Sequence, residues 1–65
     1  VFSYIREYNG KKLLVISNFF KEKGNVKFSE IKVKKIVDNN YNEYKNIDLN
    51  NLELRPFESY ILEIE

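Results

Sequence analysis

The chain has 65 residues, and its 11 basic and 10 acidic side chains leave a formal net charge of +1. Cysteine and histidine are both absent, which excludes disulfides, thiolate metal sites and every catalytic arrangement that requires either side chain. A hydrophobic fraction of 43%, with 15% aromatic residues, indicates a globular chain. A domain this short buries only about 60% of its unfolded surface, so its core is small.

The two signs of charge are mixed along the chain, so no strong field directs it to nucleic acid or to a membrane surface. No apolar run approaches the ~20 residues that span a bilayer, and no signal peptide is visible, so we expect a cytoplasmic location. The chain opens directly in a strand-like segment, residues 1–5, and it contains no Met. We therefore expect an excised fragment of a longer protein.

The first two predicted strands form a hairpin. Residues 1–8 are rich in β-branched and aromatic side chains, and Asn9-Gly10 is the strongest short signal for a type I′ turn. The second strand follows over residues 11–20. A two-residue turn fixes the register, which pairs Tyr8 with Lys11, Glu7 with Lys12, Ile5 with Leu14, Tyr4 with Val15 and Ser3 with Ile16.

This register predicts a hairpin that is apolar on both faces. One face carries Phe2, Tyr4, Leu13 and Val15, with Arg6 beside Leu13, and the other carries Val1, Ile5, Leu14 and Ile16. A sheet with one solvated side alternates apolar and polar residues, and the run 13–16 does not. One face is therefore expected to meet an opposing sheet and the other a further layer or domain. Either set is a candidate interdomain packing face.

The middle of the chain is less regular. Residues 21–25 form a charged turn in which Gly24 is available for positive φ, and residues 26–28 alternate as a short strand. Residues 29–37 fit a helix or a strand, and their β-branched side chains favour a strand over residues 34–38. The Asn-rich stretch 39–51 is typical of a long loop.

Two further strands end the chain. Residues 52–54 form a short one that ends before Pro56, which has no N–H for a ladder. Residues 59–65 alternate, with Tyr60, Leu62 and Ile64 inward, while Ile61 interrupts the polar outward side. The pattern predicts an all-β fold, a single domain over residues 1–65 with about six strands in a small, Greek-key-like antiparallel sandwich.

Three groups of side chains are candidates for functional sites. Glu53, Glu63 and Glu65 read as solvated carboxylates, whereas Glu58, in the turn after Pro56, is expected to accept backbone N–H bonds or to pair with Arg55 or Arg6. Tyr4 and Tyr60 are expected in packing, which leaves Tyr41 and Tyr44 as a platform for sugar. Lys32, Lys34 and Lys35 form a small basic cluster. The alternatives to a structural domain are thus a carbohydrate-binding or an oligonucleotide-binding module.

Four segments, taken in order, resemble a known family. They are VFSYIRE at 1–7, KKLLVISNF at 11–19, Asn40-Tyr41, and LRPFE at 54–58. Together they resemble the C-terminal β domain of family 13 glycoside hydrolases, most closely the α-glucosidases of the oligo-1,6-glucosidase and trehalose-6-phosphate hydrolase kind. Residues 20–39 match that pattern only in length and in holding one short strand.

The resemblance implies a non-catalytic domain that stabilises its neighbour. In such enzymes an upstream (β/α)₈ barrel hydrolyses α-glucosidic bonds of oligosaccharides, using a carboxylate nucleophile, a Glu acid/base and a further Asp in a retaining mechanism. None of those motifs occurs in this sequence, so we expect no catalytic residue, no metal and no cofactor here. The expected partner is the barrel of the same chain, without nucleic acid or membrane, and the isolated fragment is expected to self-associate through its uncovered face.

Overall fold

The computed structural model describes residues 1–44 and 47–65, and Lys45 and Asn46 lie outside the described residues. In the described part the chain forms six strands and one short 3₁₀ helix. The strands are β1 (Phe2–Tyr8), β2 (Lys11–Ser17), β3 (Gly24–Val26), β4 (Val33–Asn39), β5 (Leu52–Leu54) and β6 (Ser59–Ile64), and the 3₁₀ helix covers Leu49–Asn51. This confirms the small all-β domain that the sequence pattern predicts. Among the described residues, 1–44 and 47–65, no helix has the length and apolar character needed to cross a membrane.

The six strands form two antiparallel sheets. The larger sheet has the order β1-β2-β6-β4, and the smaller one pairs β3 with β5. The chain changes sheets four times, after β2, β3, β4 and β5. Alternate side chains of β2 and β6 fill the space between the sheets, because the side chains of a strand point to opposite faces in turn. The buried core consists of Leu14, Ile16, Leu49, Leu52, Leu54, Tyr60, Leu62 and Ile64.

The β1–β2 hairpin has the predicted turn and the predicted register. Asn9 and Gly10 both have positive φ, 48° and 77°, as a type I′ turn requires. Each of the five pairs derived from the sequence is present, and Arg6 lies opposite Leu13. The turn therefore fixes which side chains share a face along the whole hairpin. The predicted end of the second strand at residue 20 was wrong: β2 ends at Ser17, because the next N–H, that of Asn18, donates to the Glu58 carbonyl in the turn before β6.

Two predictions for the middle of the chain were wrong. The short strand expected over residues 26–28 is β3, Gly24–Val26, because Val26 makes the last pair with Leu52 and the Phe28 N–H donates instead to the Leu49 carbonyl. Gly24 does not supply a turn with positive φ. It lies in β3, where an added Cβ would come within 2.8 Å of Val1 Cγ2, so the requirement there is for space.

The ambiguous segment resolves as a strand. Residues 33–39 form β4, one residue longer at each end than the predicted 34–38, with irregular register at two points along β6. The predicted loop over residues 39–51 begins with the last residue of β4 and ends in the 3₁₀ helix, which Asp48 caps by accepting from the Asn50 N–H at 2.9 Å. The two positions outside the described residues fall inside this loop.

Candidate interdomain face

The larger sheet has a core face and an outer face, and they differ in how they are covered. Leu14 and Ile16 point to the core face and are fully buried under the smaller sheet. Leu13 and Val15, their neighbours along β2, point to the outer face and are only partly buried. Of the set Val1, Ile5, Leu14 and Ile16 named from the sequence, Leu14 and Ile16 thus belong to the core of this domain, whereas Val1 and Ile5 are exposed.

An apolar row crosses the outer face from strand to strand. Tyr4 of β1 lies opposite Val15 of β2, and Val15 lies opposite Ile61 of β6. Directly opposite residues share a face and pack side by side. The central strands of the sheet therefore carry a continuous apolar row that no described element of this chain covers.

Aromatic side chains extend this row toward one end of the sheet. The ring of Phe2 lies 5.6 Å from that of Tyr4 and 6.2 Å from that of Phe19, centroid to centroid. All three rings are exposed to solvent. We call the set Phe2, Tyr4, Leu13, Val15, Phe19 and Ile61 the outer patch. Patches of neighbouring aromatic and aliphatic side chains on a surface mark sites of contact with other protein.

The opposite end of the outer face is charged. Glu63 lies opposite Leu13, and its carboxylate lies 4.0 Å from Lys34 Nζ and 3.9 Å from Lys35 Nζ. Arg6 occupies the same row on β1. The outer patch is thus bounded on one side by charged side chains, as the apolar centre of an interface commonly is.

Strand β1 is uncovered on both sides. All seven of its residues are exposed, and Ile5, on the core face, is 54% exposed because the smaller sheet does not reach that far. The other edge strand, β4, has two register irregularities and the lysines Lys34 and Lys35. Irregular pairing and lysines are devices that protect an open sheet edge, and β1 has no irregularity in its pairing. β1 is therefore the less protected edge of the larger sheet.

A buried carboxylate holds together the loops at the aromatic end of the patch. Glu58 is 1% exposed, and its side chain accepts four hydrogen bonds. Oε1 accepts from the backbone N–H of Arg55 at 2.8 Å and from Arg55 Nε at 3.2 Å. Oε2 accepts from Arg55 Nη2 at 2.9 Å and from Asn39 Nδ2 at 3.0 Å. Of the alternatives that the sequence left open for Glu58, the structure shows both the backbone N–H bond and the pair with Arg55, and not the pair with Arg6.

These contacts set the charge of Glu58. Burial alone would raise the pKa of its carboxyl, but the hydrogen bonds from Arg55 and Asn39 outweigh burial and lower the pKa to about 2. The pKa of nearby Tyr60 is raised, first by burial and then by the Glu58 charge. Glu58 is therefore ionised at neutral pH, and its bonding is complete within the protein. This arrangement suits a structural role and not an acid or base.

Two buried asparagines tie this turn to its neighbours. Asn39 Nδ2 also donates to the Ser59 carbonyl, and its Oδ1 accepts from the backbone N–H groups of Tyr41 and Glu43. Asn18 Nδ2 donates to the carbonyls of Glu22 and Arg55, and its Oδ1 accepts from the Phe20 N–H. Neither asparagine was singled out from the sequence, because each combines bonds to its own loop with a bond to a segment distant in the chain.

The two tyrosines considered for sugar binding are placed differently. The guanidinium of Arg55 stacks on Tyr41, 4.0 Å from the ring centroid, and the Tyr41 hydroxyl donates to the Pro56 carbonyl. One face of that ring is thus occupied. The Tyr44 hydroxyl lies 3.3 Å from Asp38 Oδ1, and its ring is exposed. The structure does not bring the two rings into one stacked pair.

The prediction that Glu63 is solvated was wrong, because its side chain, packed beside Lys34 and Lys35, is only 12% exposed. The other candidate side chains lie on the surface. Glu53 is exposed and lies 3.7 Å from Lys23 Nζ, and Lys32 is exposed as well. Across residues 1–44 and 47–65, no group of three or more Asp or Glu side chains is arranged to hold a metal ion. Sequence reasoning did not place Ile61 and Phe19 in the packing face. The interruption of the polar outward side by Ile61 was the signal that could have done so.

Comparison with known proteins gives a consistent result. The family model described as Alpha-amylase SusG C-terminal domain matches residues 1–61. Among solved structures, the chain is similar to isomaltulose synthase from Klebsiella sp. LX3, with 15% identity and a TM-score of 0.84. It is also similar to trehalulose synthase MutB from Pseudomonas mesoacidophila MX-45, with 22% identity and a TM-score of 0.78.

Isomaltulose synthase from Erwinia rhapontici NX5 has 26% identity with the chain and a TM-score of 0.76. These matches cover 97–98% of this chain but only 12% of each solved chain, so the domain spans a small part of their length. No curated protein sequence gives a significant match.

Proposed function

Since the chain belongs to the family of α-amylase C-terminal domains, we propose that it packs against a catalytic domain in a longer polypeptide and stabilises it there. The observation that carries this proposal is the outer patch, an apolar row across the central strands with no cover from the described chain. A sheet needs a second layer on each apolar face, and the smaller sheet supplies only one.

The length of the structural neighbours supports a partner within the same polypeptide. The chain corresponds to 12% of each solved chain, so in those proteins most of the polypeptide lies outside this domain. A second protein domain of the same polypeptide is present at high effective concentration and needs no separate binding step. The outer patch, uncharged at its centre and bounded by Arg6 and Glu63, suits such a lasting contact.

For the longer polypeptide, we propose an activity on α-glucosidic bonds with net retention at the anomeric carbon. The family name and the sucrose described as substrate in structures of MutB and the Erwinia enzyme support this class of substrate. Hydrolysis of oligosaccharides, as in the α-glucosidases that the sequence resembles, is the specific reaction proposed. NMR of the first product formed from maltose or isomaltose tests it, and a product of inverted configuration would contradict it.

Two adjacent residues of β1 offer a sharp test of the packing proposal. Tyr4 points to the outer face and is 45% exposed, whereas Ile5 points to the core face and is 54% exposed. In the 65-residue chain, lysine at either position is expected to cost little because both sites reach water. In the longer polypeptide, Tyr4→Lys places a charge in the interface, and burying an unpaired charge is costly.

The measurement is calorimetric unfolding of the longer polypeptide with each substitution. We expect Tyr4→Lys to separate the unfolding of the two domains or to lower their shared midpoint, while Ile5→Lys changes it much less. A larger effect of Ile5→Lys than of Tyr4→Lys would assign the interface to the core face of β1. Equal and negligible effects would contradict packing through this sheet.

A further inference from the structure

Phe57 has a backbone conformation that its residue type disfavours. Its φ is +56°, in the left-handed region, where bulky side chains are genuine outliers. It is the third residue of a tight turn, closed by the Glu58 N–H donating to the Arg55 carbonyl at 3.0 Å. A turn with proline second and a left-handed residue third normally has Gly or Asn at the third position. Here an exposed phenylalanine occupies it.

The surroundings of the turn maintain this strain. The Phe57 N–H donates to the Phe20 carbonyl at 3.2 Å, and the Phe57 carbonyl accepts from Asn40 Nδ2 at 2.8 Å. On either side, Arg55 and Glu58 are joined through the buried carboxylate. Left-handed non-glycine residues persist only where the structure around them over-determines their conformation, and they cluster at functional sites.

The side chain of Phe57 gains little from this domain, since 55% of the residue is exposed. Its position relative to other aromatic residues is more informative. The backbone N–H of Phe57 is hydrogen-bonded to the Phe20 carbonyl. Phe20 follows Phe19 in sequence, and the Phe19 ring contacts Phe2 of the outer patch. Phe20 and Phe57, both exposed, are thus joined by a backbone hydrogen bond directly after Phe19, the last member of the outer patch on this loop.

The loop that carries Phe19 and Phe20 is fixed in the same way. Asn18 is buried, and it links the Phe20 N–H on one side to the Arg55 carbonyl on the other. The Asn18 N–H itself donates to the Glu58 carbonyl at 2.9 Å. A single network of hydrogen bonds thus holds both loops at one end of the domain and limits the freedom of the backbone that carries Phe19, Phe20 and Phe57. Ordering a contact surface in advance reduces the entropy lost when it binds.

We propose that Phe57, together with Phe20, is a second anchor of the interface beside the outer patch, and that it enters an apolar depression on the catalytic domain of the same polypeptide. The inference rests on the packing function proposed above and extends that contact beyond the sheet. The Arg55–Glu58 pair acts as a positioning device for the anchor. The strain at Phe57 is retained because a glycine, which would relieve it, has no side chain to insert.

Substitution of Phe57 by glycine separates the effect of the backbone strain from the effect of the side chain on the interface. In the 65-residue chain, Phe57→Gly relieves the left-handed strain, and we expect the unfolding midpoint to rise by about 4 °C. In the longer polypeptide, the same substitution removes the anchor, and we expect the shared midpoint to fall. The opposite sign of the two shifts is the expected signature.

One control substitution and one further measurement accompany this experiment. Tyr44→Ala removes an aromatic residue of the same 55% exposure away from the patch, and it is expected to leave the shared midpoint unchanged. Amide hydrogen exchange of residues 18–20 in the longer polypeptide provides a second readout that does not require the short chain to fold. We expect exchange there to become at least several-fold faster with Phe57→Gly and to stay the same with Tyr44→Ala.

Several results would overturn the inference. A rise of the midpoint in both proteins, or a fall in both, would show that Phe57 affects only the stability of its own domain. If the 65-residue chain does not fold, unchanged amide exchange at residues 18–20 of the longer polypeptide would overturn the inference in its place. If Tyr4→Lys still disrupts the longer polypeptide in those cases, the packing proposal stands and only the anchor fails. If Tyr4→Lys is silent as well, both fail.

Discussion

Arg55 and Glu58 are three residues apart, and the Glu58 side chain is hydrogen-bonded to both the backbone and the side chain of Arg55. The side chain of Glu58 accepts from the backbone N–H of Arg55 and, through both of its oxygens, from the guanidinium. Glu58 is fully buried, whereas about a third of the Arg55 side chain is exposed. A buried pair of this kind adds little over an apolar replacement of both residues, but loss of one partner leaves groups unpaired.

Glu58→Gln is therefore expected to destabilise the domain strongly. The amide places an N–H₂ group among donors from Arg55 and Asn39, so at least one buried donor loses its acceptor. We expect a loss of about 3 kcal/mol in the free energy of unfolding, measured by urea denaturation. Glu53→Gln is the matched control, because its ion pair with Lys23 is exposed and is worth well under about 1 kcal/mol. Equal effects of the two substitutions would contradict the assigned role.

The lowered pKa of Glu58 predicts how stability depends on pH. A carboxyl whose pKa is lower in the folded than in the unfolded state stabilises the fold above the unfolded value, about 4.3, and loses that contribution as pH falls through the folded value of about 2. The free energy of unfolding should therefore decline between about pH 5 and pH 2. Titration of the Glu58 carboxyl by carbon-13 NMR checks the cause, and an apparent pKa near 4.3 would refute it.

Gly24 is expected to resist substitution because of a single contact. An alanine Cβ would lie 2.8 Å from Val1 Cγ2, although the backbone of Gly24 is not left-handed. Gly24→Ala should cost about 1 kcal/mol of unfolding free energy, and Val1→Ala in the same chain should recover most of that loss.

Gly10→Ala, with and without Val1→Ala, is the comparison for the double-mutant cycle of Gly24→Ala and Val1→Ala. Gly10 has φ of +77° and no atom within 4 Å of an added Cβ, so its cost, also about 1 kcal/mol, comes from the backbone. Val1→Ala should not recover it. Recovery in both cycles, or in neither, would contradict the distinction between a steric and a conformational requirement.

The 65-residue chain alone is expected to self-associate through the outer patch. Exposed apolar surface of this kind, next to the open edge of β1, favours contact with a second copy. Sedimentation velocity across a range of concentrations should show a reversible increase in size, which Tyr4→Lys reduces. A monomer at all concentrations, or association that Tyr4→Lys leaves unchanged, would contradict this expectation.

Local signals in the sequence were sufficient for the hairpin, and they named Arg55 as one of two possible partners of Glu58. Asn9-Gly10 determines the turn, the turn determines the register, and the register determines the two faces of β2. Glu58 lies only three residues from Arg55, so their pairing depends on one short turn. Both features depend on residues close together in the chain, where conformational preferences of single residues are decisive.

Features that depend on distant contacts were not predicted. The alternation of Val26 and Phe28 is real, and both pack against the core, but the strand ends at Val26 because its partner strand begins at Leu52. Asn39 is buried through contacts with residues up to 20 positions away. The choice between the two faces of β2 also depended on the position of the smaller sheet, which no local pattern specifies.

The central claim is that the outer patch is covered in the longer polypeptide, and hydroxyl-radical footprinting tests it without any substitution. The account predicts that Phe2, Tyr4 and Phe19 react several-fold more slowly in the longer polypeptide than in the 65-residue chain diluted to its monomeric form, while Tyr44 reacts equally in both. Equal reactivity of Phe2 and Tyr4 in the two proteins would contradict it.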